Sequence, residues 1–186
     1  MFENIENLNK TASIAVSAFG VEGNAVFVQI SENATYFICQ NNKPKYTLRI
    51  CRPNYHTFEE LESEIQWLLN IDDVNICKPI SKNGEYVKKI NGCYCTMYKY
   101  IDGMADIEIE GNENLYIEIG RIAGLLHKNT IEKPFKAIRP KWSMENLIGK
   151  NGLWGDWRKT TVLNNPQKDI VEKACTKIYE KVANYK

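Results

Sequence analysis

The feature that most constrains the fold of this chain is a cation inside a strand-like segment that is followed by an acidic helix-like segment. Residues 46–50, Tyr-Thr-Leu-Arg-Ile, have the composition of a buried strand, in which Arg49 is the one charged residue. A cation inside a sheet needs an anionic partner to offset its lost hydration. The next segment offers Glu60, Glu62 and Glu64. This arrangement is typical of a phosphate clamp, in which a guanidinium faces the ligand and a carboxylate orients it.

Hydrophobic periodicity predicts the order β-β-β-α-β-β, preceded by one amphipathic helix. The turn at residues 41–45, Asn-Asn-Lys-Pro-Lys, separates the second and third strands, and Asn91-Gly92 is a strong hairpin signal between the last two. Thr57 is expected to cap the central helix in a capping box that Glu60 closes. The predicted segments are helix 5–19, strands 25–30, 35–40 and 46–51, helix 58–69, and strands 86–89 and 93–98.

After Asp102-Gly103 the pattern changes from strand to helix. Apolar residues at helical spacing predict one helix that reaches about His127 and a final amphipathic helix over residues 167–185. We therefore predict a lobe boundary at this point, between residues 1–101 and residues 102–186. A lone His at the end of an apolar helix stripe is expected to be a packing residue and not a general base.

Charge and cysteine content exclude several classes of function. The 24 basic and 23 acidic residues give a formal net charge of +1, which supplies no overall field for nucleic acid or anionic lipid. The first residues show no basic region followed by an apolar run, and no uninterrupted stretch of about 18 apolar residues occurs. We therefore predict no signal peptide and no membrane span, and we place the chain in the cytoplasm. The six cysteines form no Cys-x-x-Cys pair, which favours reduced thiols over a zinc site.

The order of these segments resembles the N-terminal part of the aminoglycoside phosphotransferase and homoserine or choline kinase family, whose fold is similar to that of protein kinases. The resemblance runs from about residue 5 to the end and depends on several short segments in the right order. The matching segments are Ser31-Glu32-Asn33, Thr47-Leu48-Arg49-Ile50 with Arg52-Pro53, Ser63-Glu64-x-x-Trp67-Leu68, Tyr98-x-Tyr100-Ile101-Asp102-Gly103, Gly120-Arg121-x-Ala123-x-Leu125-x-His127 and Arg139-Pro140-x-Trp142.

This resemblance implies an α+β fold. Residues 1–101 would form a protein-kinase-like, nucleotide-binding N-lobe, with a five-stranded antiparallel sheet, a helix and an additional N-terminal helix. Residues 102–186 would form the helical start of an α-helical C-lobe that lacks the catalytic loop.

The same resemblance implies a phosphate contact. Arg49 stands where the family places the cation that contacts the α- and β-phosphates of ATP, and Glu64 stands for its partner on the helix. The family pattern has Lys at the strand position, but Arg keeps its charge and can contact two phosphate oxygens at once. From the residues alone, a surface ion pair that contributes little to stability is the alternative.

Two further segments are implied to contact the nucleotide. Residues 31–34 take the place of the loop that covers the phosphates, with Ser31 and Asn33 as candidate contacts, although the loop has no Gly. Residues 98–102 resemble the hinge between the lobes, where the Lys99 carbonyl and the Ile101 N–H would meet the adenine edge. An ordinary hairpin turn and a plain connector are the alternatives for these two segments.

Phosphoryl transfer in this family needs a catalytic loop of the form His-Gly-Asp-x-x-x-x-Asn and a later metal-binding Asp. The sequence contains neither, so we assign no catalytic residue, expect the ligands of Mg²⁺ outside this chain, and predict that the chain alone is inactive. Two explanations stay open. The chain is an N-terminal piece of a longer enzyme, which we favour, or a complete protein that keeps only the nucleotide-binding parts.

The resemblance therefore implies an ATP-dependent phosphotransferase that phosphorylates a hydroxyl group on a small molecule such as an aminoglycoside. The alternative is a stand-alone, kinase-like nucleotide-binding or regulatory module without catalysis. The sequence does not distinguish ATP from GTP, and it does not identify the acceptor. The apolar faces of residues 115–126 and 170–183, if no other helix covers them, predict a homodimer.

Overall fold

Strands in which apolar and polar residues alternate form an antiparallel sheet with a helix on each of its faces. The computed structural model describes residues 4–103 and 113–183. The five strands lie in the order β1-β2-β3-β5-β4, and every neighbouring pair is antiparallel. The elements are α1 (Ile5–Ala18), β1 (Asn24–Ile30), β2 (Asn33–Gln40), β3 (Lys43–Cys51), α2 (Phe58–Leu69), β4 (Val87–Ile90), β5 (Cys93–Lys99), α3 (Glu113–Glu132), α4 (Met144–Ile148), a 3-10 turn (Trp157–Lys159) and α5 (Asn165–Ala183).

The predicted five-stranded sheet and the β-β-β-α-β-β order are confirmed, with shifted boundaries. β3 begins at Lys43, three residues earlier than predicted, because Asn41 and Asn42 alone make the turn, with φ of 50° and 59°. Pro44 enters the strand beside a register shift between β2 and β3, at which Lys45 of β3 is the extra residue and a residue without an N–H is tolerated. The predicted end of the last helix, Tyr185, lies outside the described residues.

Local signals set the ends of α2 as the sequence predicts. The Thr57 side chain accepts a hydrogen bond from the Glu60 N–H at 3.2 Å, and the Glu60 carboxylate accepts one from the Thr57 N–H at 3.1 Å. This capping box satisfies two backbone donors that the first turn otherwise leaves without partners. The predicted Asn91-Gly92 turn is also present, with both residues at positive φ.

The two faces of the sheet carry two separate apolar clusters. Helix α1 packs on one face, where Tyr36, Ile38, Leu48 and Ile50 are fully buried. Helix α2 packs on the other face, and the residues of that cluster are Cys51, Leu61, Ile65, Val87 and Tyr98. Because side chains alternate along a strand, Arg49 shares the α2 face with Cys51 and lies on the opposite side from Leu48 and Ile50.

The chain divides into two compact units, one up to Ile138 and one from Arg139 onward. In the first, α3 joins the end of α2: the Asn129 side chain donates to the Asn70 carbonyl at 3.1 Å, and the Trp67 indole N–H donates to Thr130 at 3.0 Å. In the second, Arg158 contacts Glu172 of α5 at 2.8 Å. The lobe boundary predicted at residues 101/102 stays a prediction.

Several apolar side chains of the helices remain on the surface. In α3, Tyr116, Ile117 and Ile119 are 59%, 68% and 51% exposed, and in α5, Ile170 is 67% exposed. Among the described residues, no helix has the length and apolar character needed to cross a membrane.

Candidate functional site

Arg49 lies at the centre of the sheet face that α2 covers. Its strand, β3, runs between β2 and β5, and Arg49 is paired in register with Thr35 on one side and Thr96 on the other. Nη2 of Arg49 lies 2.9 Å from Oε1 of Glu64 on α2, and only 24% and 20% of the two side chains are exposed. The predicted pair is therefore present and mostly buried, which contradicts the alternative of a loose surface pair.

Two residues of β5 also hold the guanidinium. Nε of Arg49 donates a hydrogen bond to Oγ1 of Thr96 at 3.3 Å. The guanidinium carbon lies 5.7 Å from the centre of the Tyr98 ring, within the range of a cation–π contact. Three neighbours from two elements thus determine where the charge of Arg49 lies.

The nitrogens of Arg49 are not all satisfied by these contacts. Nη2 is buried but has no hydrogen bond of acceptable geometry among the described residues, so its contact with Glu64 is an ion pair without an aligned hydrogen bond. Nη1 makes no hydrogen bond to the described residues, and 24% of the Arg49 side chain is exposed. The site therefore presents a fixed positive charge with an N–H group available to an anion.

The charge of Arg49 persists at any working pH. Burial by itself lowers the pKa of Arg49, but the neighbouring acidic groups outweigh it and raise the pKa above its ordinary value, Tyr98 through the charge that it carries at high pH and Glu64 through its carboxylate. Burial in turn raises the pKa values of Tyr98 and Cys51, so both are neutral beside the guanidinium near pH 7. Glu64 is thus the negative charge against which the guanidinium is placed.

Packing on both sides of Glu64 determines its position on α2. Leu61 and Ile65 are fully buried against the sheet. Ser63, also buried, accepts a hydrogen bond from the Ile138 N–H at 2.8 Å. Because the helix turn around it is anchored in this way, the Glu64 carboxylate approaches Arg49 from a defined direction.

The predicted phosphate loop lies at the end of β1 and the start of β2. Ser31 is exposed, and its N–H donates to the Asn33 carbonyl at 3.0 Å in a two-residue turn. Arg52 donates to the Ser31 carbonyl at 3.2 Å and thereby ties the turn to the end of β3. Oδ1 of Asn33 is buried and has no hydrogen-bond partner among the described residues. The nucleotide contacts of Ser31 and Asn33 stay predictions.

The predicted hinge lies at the other end of the same strands. The Lys99 N–H donates to the Lys78 carbonyl at 2.8 Å, and the Tyr100 N–H donates to the Lys45 carbonyl at 3.0 Å. Ile101 is 37% exposed, and its N–H has no acceptor among the described residues. The adenine contacts of Lys99 and Ile101 also stay predictions.

Strand register orders these segments in one line. Asn33 is paired with Cys51, two residues from Arg49, which is about 7 Å along the strand. Lys99 follows Thr96, the partner of Arg49, by three residues, which is about 10 Å in the opposite direction. The loop, the clamp and the hinge therefore follow one another across the sheet.

Sequence reasoning missed the two residues of β5 that hold Arg49. Alternation along residues 93–98 was sufficient to place Thr96 and Tyr98 on one face. It did not show that β5 lies beside β3, because that pairing joins segments separated by almost 50 residues. It also missed an apolar strip on the same face, where Val26 is 48% exposed and Phe37 packs on Tyr100 at 5.3 Å between ring centres.

A metal site does not form from the part of the chain that the structure describes. Among residues 4–103 and 113–183, no three His, Cys, Asp or Glu side chains come together as metal ligands. The described residues therefore fit an anionic ligand at Arg49 but do not supply a site for a divalent cation.

No family model matches the chain. A curated protein, amicoumacin kinase of Bacillus subtilis (strain 168), is 29% identical in an alignment of 140 residues that covers 70% of this chain and 41% of that protein. The chain is homologous to amicoumacin kinase. The resemblance inferred from the short segments is thereby confirmed.

The solved structures show the same relationship at the level of the fold. The structure of amicoumacin kinase hAmiN in complex with AMP-PNP, Ca²⁺ and Ami has a TM-score of 0.70 to this chain at 17% sequence identity. The match covers 99% of this chain and 57% of that one. The predicted α+β, protein-kinase-like fold is confirmed, and the chain spans about half the length of the amicoumacin kinases it matches.

Proposed function

We propose that this chain is the nucleotide-binding part of an ATP-dependent phosphotransferase that acts on a hydroxyl group of a small molecule. The observation that supports it most directly is the buried Arg49–Glu64 pair at 2.9 Å, on the sheet of a chain homologous to a kinase. A fixed guanidinium with an accessible N–H group is suited to a polyphosphate, because a charge-assisted hydrogen bond to an anionic oxygen is stronger than a neutral one.

In this proposal the nucleotide lies along the line of loop, clamp and hinge. The adenine edge meets the Lys99 carbonyl and the Ile101 N–H, and the phosphates extend past Arg49 towards Ser31 and Asn33. The loop has no Gly, so its hydroxyl and amide side chains take part in place of a close backbone approach. The exposed Val26 side chain offers an apolar surface near the hinge for the base.

We propose that the ligands of the divalent cation lie outside this chain. The sequence has no His-Gly-Asp-x-x-x-x-Asn loop, and the described residues gather no metal ligands. Magnesium, when present with ATP, neutralises phosphate charge. The role of this chain is to bind and orient the nucleotide, and we expect no phosphate transfer by the chain alone. A cytoplasmic location, where ATP is available, remains part of the proposal.

The relatives suggest which acceptor to test first. The homologue and the solved structure are both named as amicoumacin kinases, and the latter contains AMP-PNP and Ca²⁺. We propose ATP as the nucleotide and an antibiotic-like small molecule with a hydroxyl group as the class of acceptor for the whole phosphotransferase.

Thermal unfolding with and without nucleotide tests the proposal. A ligand at ten times its Kd stabilises the folded state by about 1.4 kcal/mol, which raises the Tm of a chain this size by about 3–6 °C. We expect such a rise with AMP-PNP and Mg²⁺ at millimolar concentration, and its loss in Arg49→Ala and in Glu64→Ala.

Glu62→Ala is the matched control for Glu64→Ala, because Glu62 lies on the same helix and has no ion pair among the described residues. It should keep the nucleotide-induced rise. If the rise is absent in the unmodified chain, or unchanged in Arg49→Ala, the phosphate role of Arg49 is wrong. Stabilisation by nucleotide, combined with full activity of the chain alone, would instead contradict the expected inactivity.

A further inference from the structure

The surroundings of Arg49 are built for a guanidinium and not simply for a positive charge. Nη2 faces Glu64, Nε donates to Thr96, and the planar group lies over the Tyr98 ring. A lysine ammonium has no Nε donor at that depth along the side chain and no planar face to lie against an aromatic ring. An ammonium here would keep the attraction to Glu64 and could meet the Tyr98 ring only as a point charge, and it would lose the Nε hydrogen bond to Thr96.

We propose that Thr96 and Tyr98 are positioning residues that make the clamp specific for arginine and direct the free N–H of Nη1 towards the phosphates. This inference rests on the proposed function and adds to it the residues that determine the orientation of the charge. Three separate features of the site support it: the hydrogen bond to Thr96, the burial of Tyr98, and the access of Nη1.

The contact with Thr96 sets the rotation of the guanidinium. The hydroxyl accepts a hydrogen bond from Nε at 3.3 Å. Thr96 itself is fully buried between its strand neighbours and is paired in register with Arg49. Because the acceptor is on a central strand, it cannot follow the guanidinium if the side chain turns.

Tyr98 acts through its ring and not through its hydroxyl group. The residue is 8% exposed, and its Oη is buried without a hydrogen-bond partner among the described residues. A buried hydroxyl group without a well-aligned hydrogen bond costs free energy, so the ring is the part of Tyr98 that stabilises this packing. The ring belongs to the same apolar cluster as Leu61 and Ile65, and the guanidinium carbon lies 5.7 Å from its centre.

The first test compares substitutions that remove or keep each contact. Thr96→Val removes the acceptor at constant shape, while Thr96→Ser keeps it. Tyr98→Leu removes the aromatic face, while Tyr98→Phe keeps it. We expect the Kd for AMP-PNP to rise about tenfold in Thr96→Val and in Tyr98→Leu, and to stay within about twofold of the original in the two conservative variants.

Arg49→Lys tests the guanidinium specificity directly. We expect it to bind AMP-PNP as weakly as Arg49→Ala, although it keeps the charge. Binding by Arg49→Lys close to that of the unmodified chain would overturn the specificity, and equal Kd values for Thr96→Val and Thr96→Ser would overturn the role of the hydroxyl group.

A readout in the absence of nucleotide separates this inference from the proposed function. In ¹⁵N-labelled protein, the Nε–H of a held guanidinium gives a resolved signal that exchanges slowly with water. We expect this signal for Arg49, its retention in Thr96→Ser, and its loss in Thr96→Val. If the signal behaves in this way but AMP-PNP does not bind, the proposed function fails and the positioning role stands. If Thr96→Val leaves the signal unchanged, the positioning role is wrong whatever the nucleotide does.

Two matched controls lie on the opposite face of the sheet. Thr11 is buried and accepts from the Asn91 side chain at 3.0 Å, and the buried Tyr36 donates to Asn9 at 2.9 Å. Thr11→Val and Tyr36→Phe should lower the Tm without changing the Arg49 Nε–H signal or the Kd for AMP-PNP. An equal effect of these variants on the signal would show that general loosening of the sheet, and not positioning, explains the results.

Discussion

Arg49 is a mostly buried cation. Its neighbours hold the guanidinium in position, but they do not provide a hydrogen-bond acceptor for every N–H group. The Glu64 carboxylate supplies the counter-charge, and Thr96 and Tyr98 supply direction. Burying an ion pair costs desolvation of both groups, so such a pair seldom contributes much net stability, whereas breaking it leaves one uncompensated charge. The free energy of unfolding is therefore expected to respond mainly when one partner is lost.

Glu64→Gln should destabilise the folded chain. The substitution removes the counter-charge and leaves the guanidinium mostly buried, and a broken buried pair costs several kcal/mol. Because about a fifth to a quarter of each side chain is exposed, solvent reduces this cost, and we expect about 1–3 kcal/mol. Urea unfolding at pH 7 measures it, with Glu62→Gln, expected within about 0.5 kcal/mol of the original, as control. Equal effects of the two substitutions would contradict a structural role for the pair.

Alkaline pH should destabilise the chain through the buried thiol of Cys95. Burial raises the pKa of Cys95 far above the ordinary value, so the unfolded chain releases this proton at a lower pH than the folded chain does. The stabilisation is fully present below the ordinary thiol pKa of about 8.5, and it is lost as the pH rises from there towards the raised value in the folded state.

Chemical unfolding of the original chain and of Cys95→Ala at pH 7 and pH 10 measures this loss. The thiol of Cys95 contributes a decrease of up to about 1.4 kcal/mol per pH unit above 8.5. The decrease in unfolding free energy should therefore be smaller in Cys95→Ala. Cys77→Ala is the control, because Cys77 is exposed and should leave the slope unchanged. An identical pH dependence in Cys95→Ala and the original chain would rule out this source of alkaline sensitivity.

At the scale of the elements, α2 connects local sequence signals to the site. Its capping box fixes the first turn, and its buried stripe fixes the face that carries Glu64. Both signals are local, and both were predictable: Thr57 and Glu60 at the required spacing, and apolar residues at helical steps. The direction in which Glu64 points was not local, because it depends on the strand that the helix covers.

Thr57→Ala should shift the stability of α2 without removing the site. Loss of an N-cap side chain costs typically about 1 kcal/mol, because a backbone N–H of the first turn loses its acceptor. Thermal unfolding should show a Tm lower by about 2–4 °C. Thr57→Ser keeps the acceptor and should stay close to the original chain. A Tm for Thr57→Ser as low as that of Thr57→Ala would show that the methyl group, and not the cap, is responsible.

The boundaries of the strands show where local reasoning stops. The Asn91-Gly92 hairpin was placed correctly because its turn requires positive φ, which these residues adopt easily. The turn before β3 was predicted to be longer than it is, because Pro44 and the charged residues around it are typical of loops. In the folded chain an extra residue in β3, Lys45, shifts the register beside Pro44, and strand pairing outweighs local preference.

At the scale of the whole molecule, the exposed apolar side chains on the helices indicate contact with another protein surface. Ile117 of α3 and Ile170 of α5 are both more than 60% exposed, and a monomer seldom keeps large apolar patches in water. We propose, as the sequence predicts, that the isolated chain associates as a homodimer through these faces. Since the chain spans about half the length of its relatives, this association is a property of the chain tested by itself.

Sedimentation equilibrium of the chain tests the homodimer. We expect a dimer at micromolar concentration, and a shift towards monomer in Ile117→Lys because an interface does not accept an unpaired buried charge. Ile14→Lys is the matched control, because Ile14 is an isoleucine that is 48% exposed and belongs to α1, not to α3 or α5. A monomer at all concentrations, or equal dissociation by both substitutions, would contradict association through α3.

The sequence by itself determined the types of the elements, their order, and the pairing of a strand cation with a helix carboxylate, because periodicity, caps and turn residues act over a few neighbouring positions. Only the tertiary structure decided what surrounds Arg49. The strand that carries Thr96 and Tyr98 lies beside β3 although a helix and another strand separate them along the chain. Register between distant strands depends on the packing of the whole sheet, and it is this register that converts a buried charge into an oriented one.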